Sequence, residues 1–361
     1  MLKSVLNIYR INRCIHRNTN FQLFSRHICN VFETMKIGTH DGTFHCDEVF
    51  ACYMLKLLPE YKDAEIIRTR DMNKLKECDI VVDVGSVFDH DKKLYDHHQR
   101  EFDETLSSLR PELGEKYKIK LSSAGLVYTY YGERVIQAAA KDQQLTPHNL
   151  SIIYKKVYEN LVEEIDAIDN GVPMTDSEPR YKIRTHLSSR VHRINPRWNA
   201  DRTIDYDDLF KKAMFLVGEE FLYTIEYFIS VWLPARNHVQ AAVDNRFKIH
   251  ESGQILKFEC GGLPWKEHLF DIEEALGIQN EIKYVLFEDK SWRVQAVPVS
   301  PTSFILRKPL NKDWWGIRDE ELSKVSGVEG AVFCHSTGFI GGNVSYSGAV
   351  DMAIKSLLQK I

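Results

Sequence analysis

Between Asp79 and Val84 the chain reads Asp-Ile-Val-Val-Asp-Val, a continuous β-branched run with a carboxylate inside it. A run this apolar is expected to be a buried strand. Its surroundings alternate in the same style. Met35–His40 reads as a short strand entering the polar loop His40–Cys46. Asp47–Leu58 carries Val49, Phe50, Met54 and Leu57 at helical spacing and stops at Pro59. Ala64–Arg70 is expected as a strand, Asn73–Glu77 as a helical turn and Leu94–His97 as a further extended piece. Ser122–Gln137 is expected as a helix, with Ser122 or Ser123 placed to cap it. Such alternation predicts an α/β fold with a parallel sheet covered by helices. In that architecture functional loops gather at the carboxyl ends of the strands.

The candidate site follows from that rule. His40, His45, Asp47, Asp83, Asp96, His97 and His98 all fall at or just beyond expected strand ends, so the sheet would deliver them to one edge. A single His or Asp there is usually a cap or a solvated loop residue. Five histidines within residues 40–98, together with Asp47, Asp83 and Asp96, are not explained by capping. Imidazoles mixed with carboxylates suit divalent transition ions such as Mn²⁺. Two ions about 3.5–4 Å apart need a bridging carboxylate with terminal ligands on each side. Asp83, inside so apolar a strand, needs a partner and is the natural bridge. Such a pair would deprotonate a shared water and clamp phosphate oxygens during in-line attack. Asp89, His90 and Asp91 read as a solvated loop.

Longer motifs carry a resemblance. The segments Gly38-Thr39-His40-Asp41-Gly42-Thr43-Phe44-His45-Cys46-Asp47-Glu48 and Tyr95-Asp96-His97-His98-Gln99-Arg100-Glu101-Phe102 are the most specific. Glu164–Gly171, Arg193-Ile194-Asn195-Pro196-Arg197-Trp198-Asn199 and Phe333–Gly342 add to them. Together, over residues 36–361, they resemble the Myg-type (melanocyte proliferating gene) branch of the DHH phosphoesterase superfamily. The resemblance implies a DHH-type catalytic domain with a helical connector over residues 35–240 and a smaller C-terminal α+β substrate-binding domain over 241–361. It also implies a two-metal site holding Mn²⁺, with Mg²⁺ or another transition ion as alternatives. His40, His45 and Asp83 would hold one ion; Asp47, Asp83, His97 and a carboxylate from Glu164–Gly171 would hold the other. Asp169 is the first choice for that carboxylate, and Asp166, three residues away on a helix face, the second. Many DHH proteins carry Asp-x-Asp where this chain has His45-x-Asp47, which adds a nitrogen donor and favours Mn²⁺ over Mg²⁺. His98 could orient His97, contact substrate phosphate or act as general acid. The implied activity is 3′–5′ exonucleolytic hydrolysis of single-stranded RNA in mitochondria, and in the nucleus or nucleolus. The same metal core could serve pyrophosphate, a nanoRNA or a cyclic dinucleotide, and a binding module without turnover is a further alternative.

Charge distribution adds location and substrate. The net charge of −4 excludes a basic nucleic-acid coat protein. Residues 1–32 hold Lys3, Arg10, Arg13, Arg17 and Arg26 and no acid, so residues 1–34 read as a mitochondrial targeting or disordered segment. The other 329 residues hold 42 basic and 51 acidic side chains. Within that acidic body, residues 180–199 carry six Lys or Arg, two His, Tyr181 and Trp198 without one acid. Such a stretch suits phosphate contacts and base stacking, with Arg190 and Arg193 as candidate phosphate clamps. In the C-terminal part, Lys283–Glu288 and Ser291–Val299 read as a hairpin, and Ala331–Cys334 as a strand. A Gly-rich loop from His335 to Gly342 then leads to a last helix, Ser347–Gln359. His335, Gly341 and Gly342 are expected to offer backbone N–H groups to an anion. The seven cysteines form no CxxC pair, which argues against a disulfide framework and a zinc ribbon. The apolar stretch Ala213–Pro234, broken by three glutamates, is too polar to span a membrane and reads as a buried helix. Oligomeric state is open, with a homodimer possible.

Overall fold

A computed structural model describes residues 34–141, 143–200 and 203–359. The expected targeting segment therefore lies almost wholly outside the described residues. Residues Met35–Ile361 form one compact unit.

The first half builds a five-stranded sheet from β1 (Lys36–Thr39), β2 (Glu65–Arg68), β3 (Ile80–Val82), β4 (Phe88–Asp89) and β5 (Leu94–Tyr95). Helices α1 (Cys46–Lys56) and α2 (Met72–Leu75) cross between the early strands. The strand order is β2-β1-β3-β5-β4. β1 pairs in parallel with β2 and β3, and β3 with β5. The sheet is mixed and not wholly parallel as expected, because β4 runs antiparallel to β5. Two residues suffice for that edge strand, and the second of them, Asp89, belongs to the run read as a solvated loop. His90 is exposed there, as that reading expects, but its ring stacks 3.7 Å from Tyr130 and hydrogen-bonds with the Tyr95 hydroxyl.

After β1 the chain crosses to β2 on one side and then returns to β3 on the other. That reversal opens a crevice beyond the carboxyl ends of β1 and β3, where open α/β sheets bind ligands. The helical layer covers the sheet. It comprises α3 (Leu106–Leu109), α4 (Ser123–Ala139), α5 (Pro147–Val157), α6 (Glu163–Asp169), α7 (Leu187–His192) and α8 (Tyr206–Tyr227); α9 (Leu233–Asp244) and the single turn α10 (Arg246–Ile249) lead on from it and pack against Ile255–Lys257 of the second sheet. α1 packs on α4 and α8 through the fully buried Val49, Phe50 and Met54. π-turns at Tyr158–Val162 and Phe228–Trp232 join α5 to α6 and α8 to α9, with α-region backbone at both junctions. The stretch read as a buried helix is only half covered: Phe221 packs edge-on against Phe50, while Phe215 and Tyr223 are exposed. Its apolar residues encircle the helix, but its neighbours cover one side.

A second sheet contains β6 (Ile255–Lys257), β7 (Tyr284–Glu288), β8 (Trp292–Ala296), β9 (Ala331–Cys334) and β10 (Ile340–Asn343) in the order β6-β7-β8-β10-β9. α11 (Lys266–Leu276), α12 (Asp319–Ser326) and α13 (Tyr346–Leu358) accompany it. The expected hairpin is present, with Tyr284 opposite Ala296 and Glu288 opposite Trp292. Leu286, Val294, Leu322 and Met352 form its core with Trp314. Arg307 and Glu273 make a buried two-pronged ion pair with both contacts at 2.7 Å, the geometry that best offsets desolvation. Among the described residues no helix is long and apolar enough to cross a membrane.

Candidate metal centre

Strands β1, β3 and β5 are parallel neighbours, so their carboxyl ends share one edge. His40 follows β1, Asp83 follows β3, and Asp96 and His97 follow β5. Asp83 leaves its strand with φ of +56°, in the left-handed region that non-glycine residues rarely adopt. Its two oxygens face different imidazoles. Oδ2 lies 3.4 Å from His40 Nε2, and Oδ1 lies 3.5 Å from His97 Nε2. Each imidazole heads a separate donor group. His40, His45, Glu48 and Asp83 bring donor atoms within 4.8 Å of one another, and so do Asp47, His97 and Asp169. Asp83, His97 and His98 form a third, overlapping group.

Each ring is held by its other nitrogen. His40 Nδ1 is 3.0 Å from the Asp41 carbonyl and donates to it, leaving the Nε2 lone pair for the cluster. His97 Nδ1 lies 3.2 Å from Asn170 Oδ1. Asn170 Nδ2 donates to the carbonyls of Lys120 and Asp166, both at 2.9 Å, so its oxygen must face His97 and Nδ1 must carry the proton. His97 Nε2 is then a lone pair lying 3.0 Å from Asp169 Oδ2 and 3.8 Å from Asp47 Oδ2. It is buried and makes no hydrogen bond. An orphaned buried nitrogen among three carboxylates is what a cation ligand looks like.

The carboxylates are held as deliberately. Asp47, fully buried in the first turn of α1, faces the start of α4. Its Oδ1 accepts from the Ser122 hydroxyl at 2.6 Å and from Ala124 N–H, and its Oδ2 from Ser123 N–H at 3.1 Å. Glu48 accepts from His45 N–H at 2.9 Å and stands 3.1 Å from His40 Nε2. Burial, Asp83 and Asp169 push the Asp47 carboxyl up. Burial would lower His40, but Asp83 and Glu48 outweigh it and hold the imidazole at about 10. His97 is likewise held at about 11, burial being overcome by Asp169, Asp83 and Asp47. Burial would raise Asp83, yet His40 and His97 bring it below the ordinary carboxylate range. These groups thus require positive charge between them, and divalent cations supply it without protons. The residues fit such a cofactor; His40, His45, Glu48 and Asp83 would hold one ion, and Asp47, Asp83, His97 and Asp169 another.

His98 stands apart. Its Nδ1 donates to Asp96 Oδ1 at 2.7 Å, and Asp96 also accepts from His98 N–H and Ser86 N–H. The side chain is more than half exposed and lines a cavity of about 780 Å³ together with His45, Asp47, Asp83 and Asp169. The basic stretch supplies further lining: Arg184, His186, Ser188, Ser189, His192 and Arg193.

Several expected residues lie elsewhere. Asp166 is fully buried but joins none of the donor groups among the described residues. Its Oδ1 accepts from Ser122 N–H at 2.9 Å and its Oδ2 from the Tyr158 hydroxyl at 3.1 Å. Arg190 does not line the cavity; it pairs with Glu220 of α8 at 2.9 Å. The glycine run is not a phosphate loop. Gly341 and Gly342 sit in β10, paired on one side with Val294 and Arg293 of β8 and on the other with Cys334 and Phe333 of β9, so both backbone edges are engaged. His335 is exposed in the β9–β10 turn beside Thr337, and the cavity lining includes none of the three. Residues unread in the sequence enter the site instead. Glu48 looks like the third residue of a capping box, and Ser122 like a simple cap. Arg184, His186, Ser189 and His192 lay inside the basic stretch without a pattern to single them out.

Fold and site define a mixed α/β protein with a buried His/carboxylate cluster suited to divalent cations at the carboxyl edge of its first sheet. Comparison with known proteins is consistent across the chain. The family model MYG1_exonuc, described as "Uncharacterised protein family (UPF0160)", matches residues 36–357. A MYG1 protein of Caenorhabditis elegans is 50% identical over 329 residues, covering 90% of this chain and 95% of the relative. Proteins named MYG1 exonuclease from Bos taurus and Homo sapiens are each 48% identical over 328 residues, covering 90% of this chain and 85% and 86% of theirs. The chain belongs to the MYG1 family.

Proposed function

We propose that the protein is a two-metal phosphodiesterase of the DHH type, acting as a 3′–5′ exonuclease on single-stranded RNA, with Mn²⁺ as its preferred ion. The observation that carries this reading is Asp83, whose two oxygens face the two imidazoles at 3.4 and 3.5 Å. A carboxylate so placed would serve as a shared ligand if cations occupy both donor groups. The exonuclease names of the mammalian relatives support the reaction class. Divalent cations held by these residues would supply positive charge to the phosphoryl oxygens and acidify water. The chain's own residues do the rest. Asp83, Asp47 and Asp169 fix that charge at the sheet edge. Asp96 orients His98, so that its Nε2 can carry a proton to the leaving oxygen. Arg193 and Arg184 place cationic side chains on the wall of the same cavity for the substrate backbone. On this reading the helical layer up to about residue 240 belongs to the catalytic domain, and the second sheet to a C-terminal substrate domain. Residues 1–34 would direct the protein to the mitochondrial matrix, with a second pool in the nucleus.

The test is an assay of purified, Mn²⁺-loaded protein on 5′-labelled single-stranded RNA beside pyrophosphate. Stepwise shortening from the 3′ end is expected. Phosphate release from pyrophosphate with RNA untouched would replace this reading by a phosphoanhydride hydrolase. Residues 1–34 fused to a fluorescent protein should enter mitochondria; a diffuse signal would remove the targeting assignment.

A further inference from the structure

His186 and Ser189 form a pair that neither the metal cluster nor the arginines account for. The His186 Nε2 nitrogen lies 2.7 Å from Ser189 Oγ, and both residues line the 780 Å³ cavity. A serine this close to an imidazole, in a cavity, has the geometry of an activated nucleophile. The protons decide otherwise. A nucleophilic serine gives its hydroxyl proton to Nε2, which requires the ring proton on Nδ1. Here Nδ1 is itself an acceptor, taking the Ser189 backbone N–H at 3.3 Å as the residue capping α7. A neutral ring with an accepting Nδ1 carries its proton on Nε2. Nε2–H therefore donates to Ser189 Oγ, and the hydroxyl hydrogen of Ser189 is released toward the cavity.

Two cations share that lining. Arg184 and Arg193 are exposed, and among the described residues neither is in an ion pair, unlike Arg190 with Glu220. A hydroxyl donor held by an imidazole, in a cavity whose wall also carries two guanidinium groups outside any ion pair among the described residues, is matched by an oxyanion rather than by a donor or an apolar group.

We propose that Ser189, Arg184 and Arg193 form a phosphate subsite in the metal-centre cavity, in which Ser189 donates to a non-bridging oxygen of the nucleotide and His186 holds it in that donor role. The subsite lies on the helical stretch 184–193, not in the glycine run of the second sheet. It rests on the nuclease reading of the cavity and adds how the substrate backbone is gripped.

Binding is the readout, so turnover is not needed. Inorganic phosphate, adenosine monophosphate and its 2′-deoxy analogue are titrated calorimetrically into the full chain loaded with Mn²⁺. Ser189→Ala is expected to weaken all three by roughly tenfold, the loss for one hydrogen bond to a charged acceptor. Ser189→Thr, which keeps the hydroxyl, should stay within about twofold of the parent. Bound Mn²⁺ should be unchanged in both variants, which separates the subsite from damage to the cluster. Unchanged affinity in Ser189→Ala overturns the proposal. Loss confined to the ribonucleotide also overturns it, because the hydroxyl then contacts the sugar. Covalent capture of Ser189 by a fluorophosphonate overturns the donor assignment. If the parent protein binds Mn²⁺ and none of the three probes, the nuclease reading fails as well. If it binds them and Ser189→Ala makes no difference, only the subsite fails.

Discussion

Asp83 combines an unusual backbone with an unusual duty. Its left-handed φ of +56° is tolerated by Asn at least as well as by Asp. Asp83→Asn should therefore fold like the parent while losing the charge between His40 and His97. Bound Mn²⁺, counted by atomic absorption, should drop, and hydrolysis should fall by on the order of a thousandfold, the scale of losing several kcal/mol of electrostatic stabilisation. A variant that keeps its Mn²⁺ content and its rate would refute the proposed bridging role. The neighbouring pair Asp169 and Asp166 separates ligand from scaffold. Asp169→Asn should lose metal. Asp166→Asn should keep it, because Asp166 contacts Ser122 and Tyr158 instead. Burial pushes the Asp166 carboxyl up to about 7. Between the ordinary carboxyl range and 7 the folded state then holds a proton that the unfolded chain releases. This contribution to stability is full at low pH and disappears as pH rises through 7. Urea midpoints at pH 5 and pH 8 should accordingly differ less in metal-free Asp166→Asn than in the metal-free parent. The legibility of such residues follows their chemistry. His40, Asp83 and His97 stood out because polar groups at the ends of apolar strands need partners. Glu48 did not, since the third position of a helix gives a carboxylate a sufficient reason to be there.

Elements explain how the donors are held. The first turn of α4 offers Ser123 N–H, Ala124 N–H and the Ser122 hydroxyl to Asp47. Unsatisfied N–H groups and the helix dipole make that end a fitting seat for an anion. α4 also carries a glycine, Gly125, in a helix that would otherwise prefer alanine. A Cβ there would stand 2.2 Å from Asp166 Oδ1, so the glycine lets α6 approach. Ser122→Ala removes the cap and the hydroxyl shared by Asp47 and Asp166. It should cost about 1–2 kcal/mol in denaturant unfolding and weaken Mn²⁺ binding by roughly ten- to a hundredfold, the usual range for a group that orients a ligand. Unaltered Mn²⁺ affinity would mean that the backbone alone positions Asp47. The same scale shows what the sequence could not disclose. β1, β3, α1, α4 and the β7–β8 hairpin were readable from periodicity and caps. β10 was not, because glycines signal a loop until packing is known. A Cβ on Gly342 would meet the Phe333 ring at 2.8 Å, and only the folded neighbour shows that the strand needs none.

At the scale of the whole molecule, a metal ion held by the cluster would be coupled to folding. Asp47, Glu48, Asp83 and Asp169 come from three separate stretches of chain and are gathered only in the native state. A ligand that binds that state alone stabilises it by about 2.7 kcal/mol at a hundred times its Kd. Mn²⁺ should raise the melting temperature of the full chain, and excess chelator should lower it. A melting curve indifferent to both would argue that the cluster takes no ion. The π-turn at Tyr158–Val162 has a consequence of another kind. A π-turn is one residue more than an α-helix needs, so it offsets everything after it by about 100°. Asp166 and Asp169 reach their partners in that offset phase. Deleting the exposed Asn160 should let the helix heal into regular α-geometry, with its circular dichroism preserved, while Asp169 rotates out of the cluster and Mn²⁺ is lost. In evolutionary terms the surplus residue acts as a lock on length. Substitutions along this helix can accumulate one at a time, whereas a change in the number of its residues cannot be tolerated without dismantling the centre.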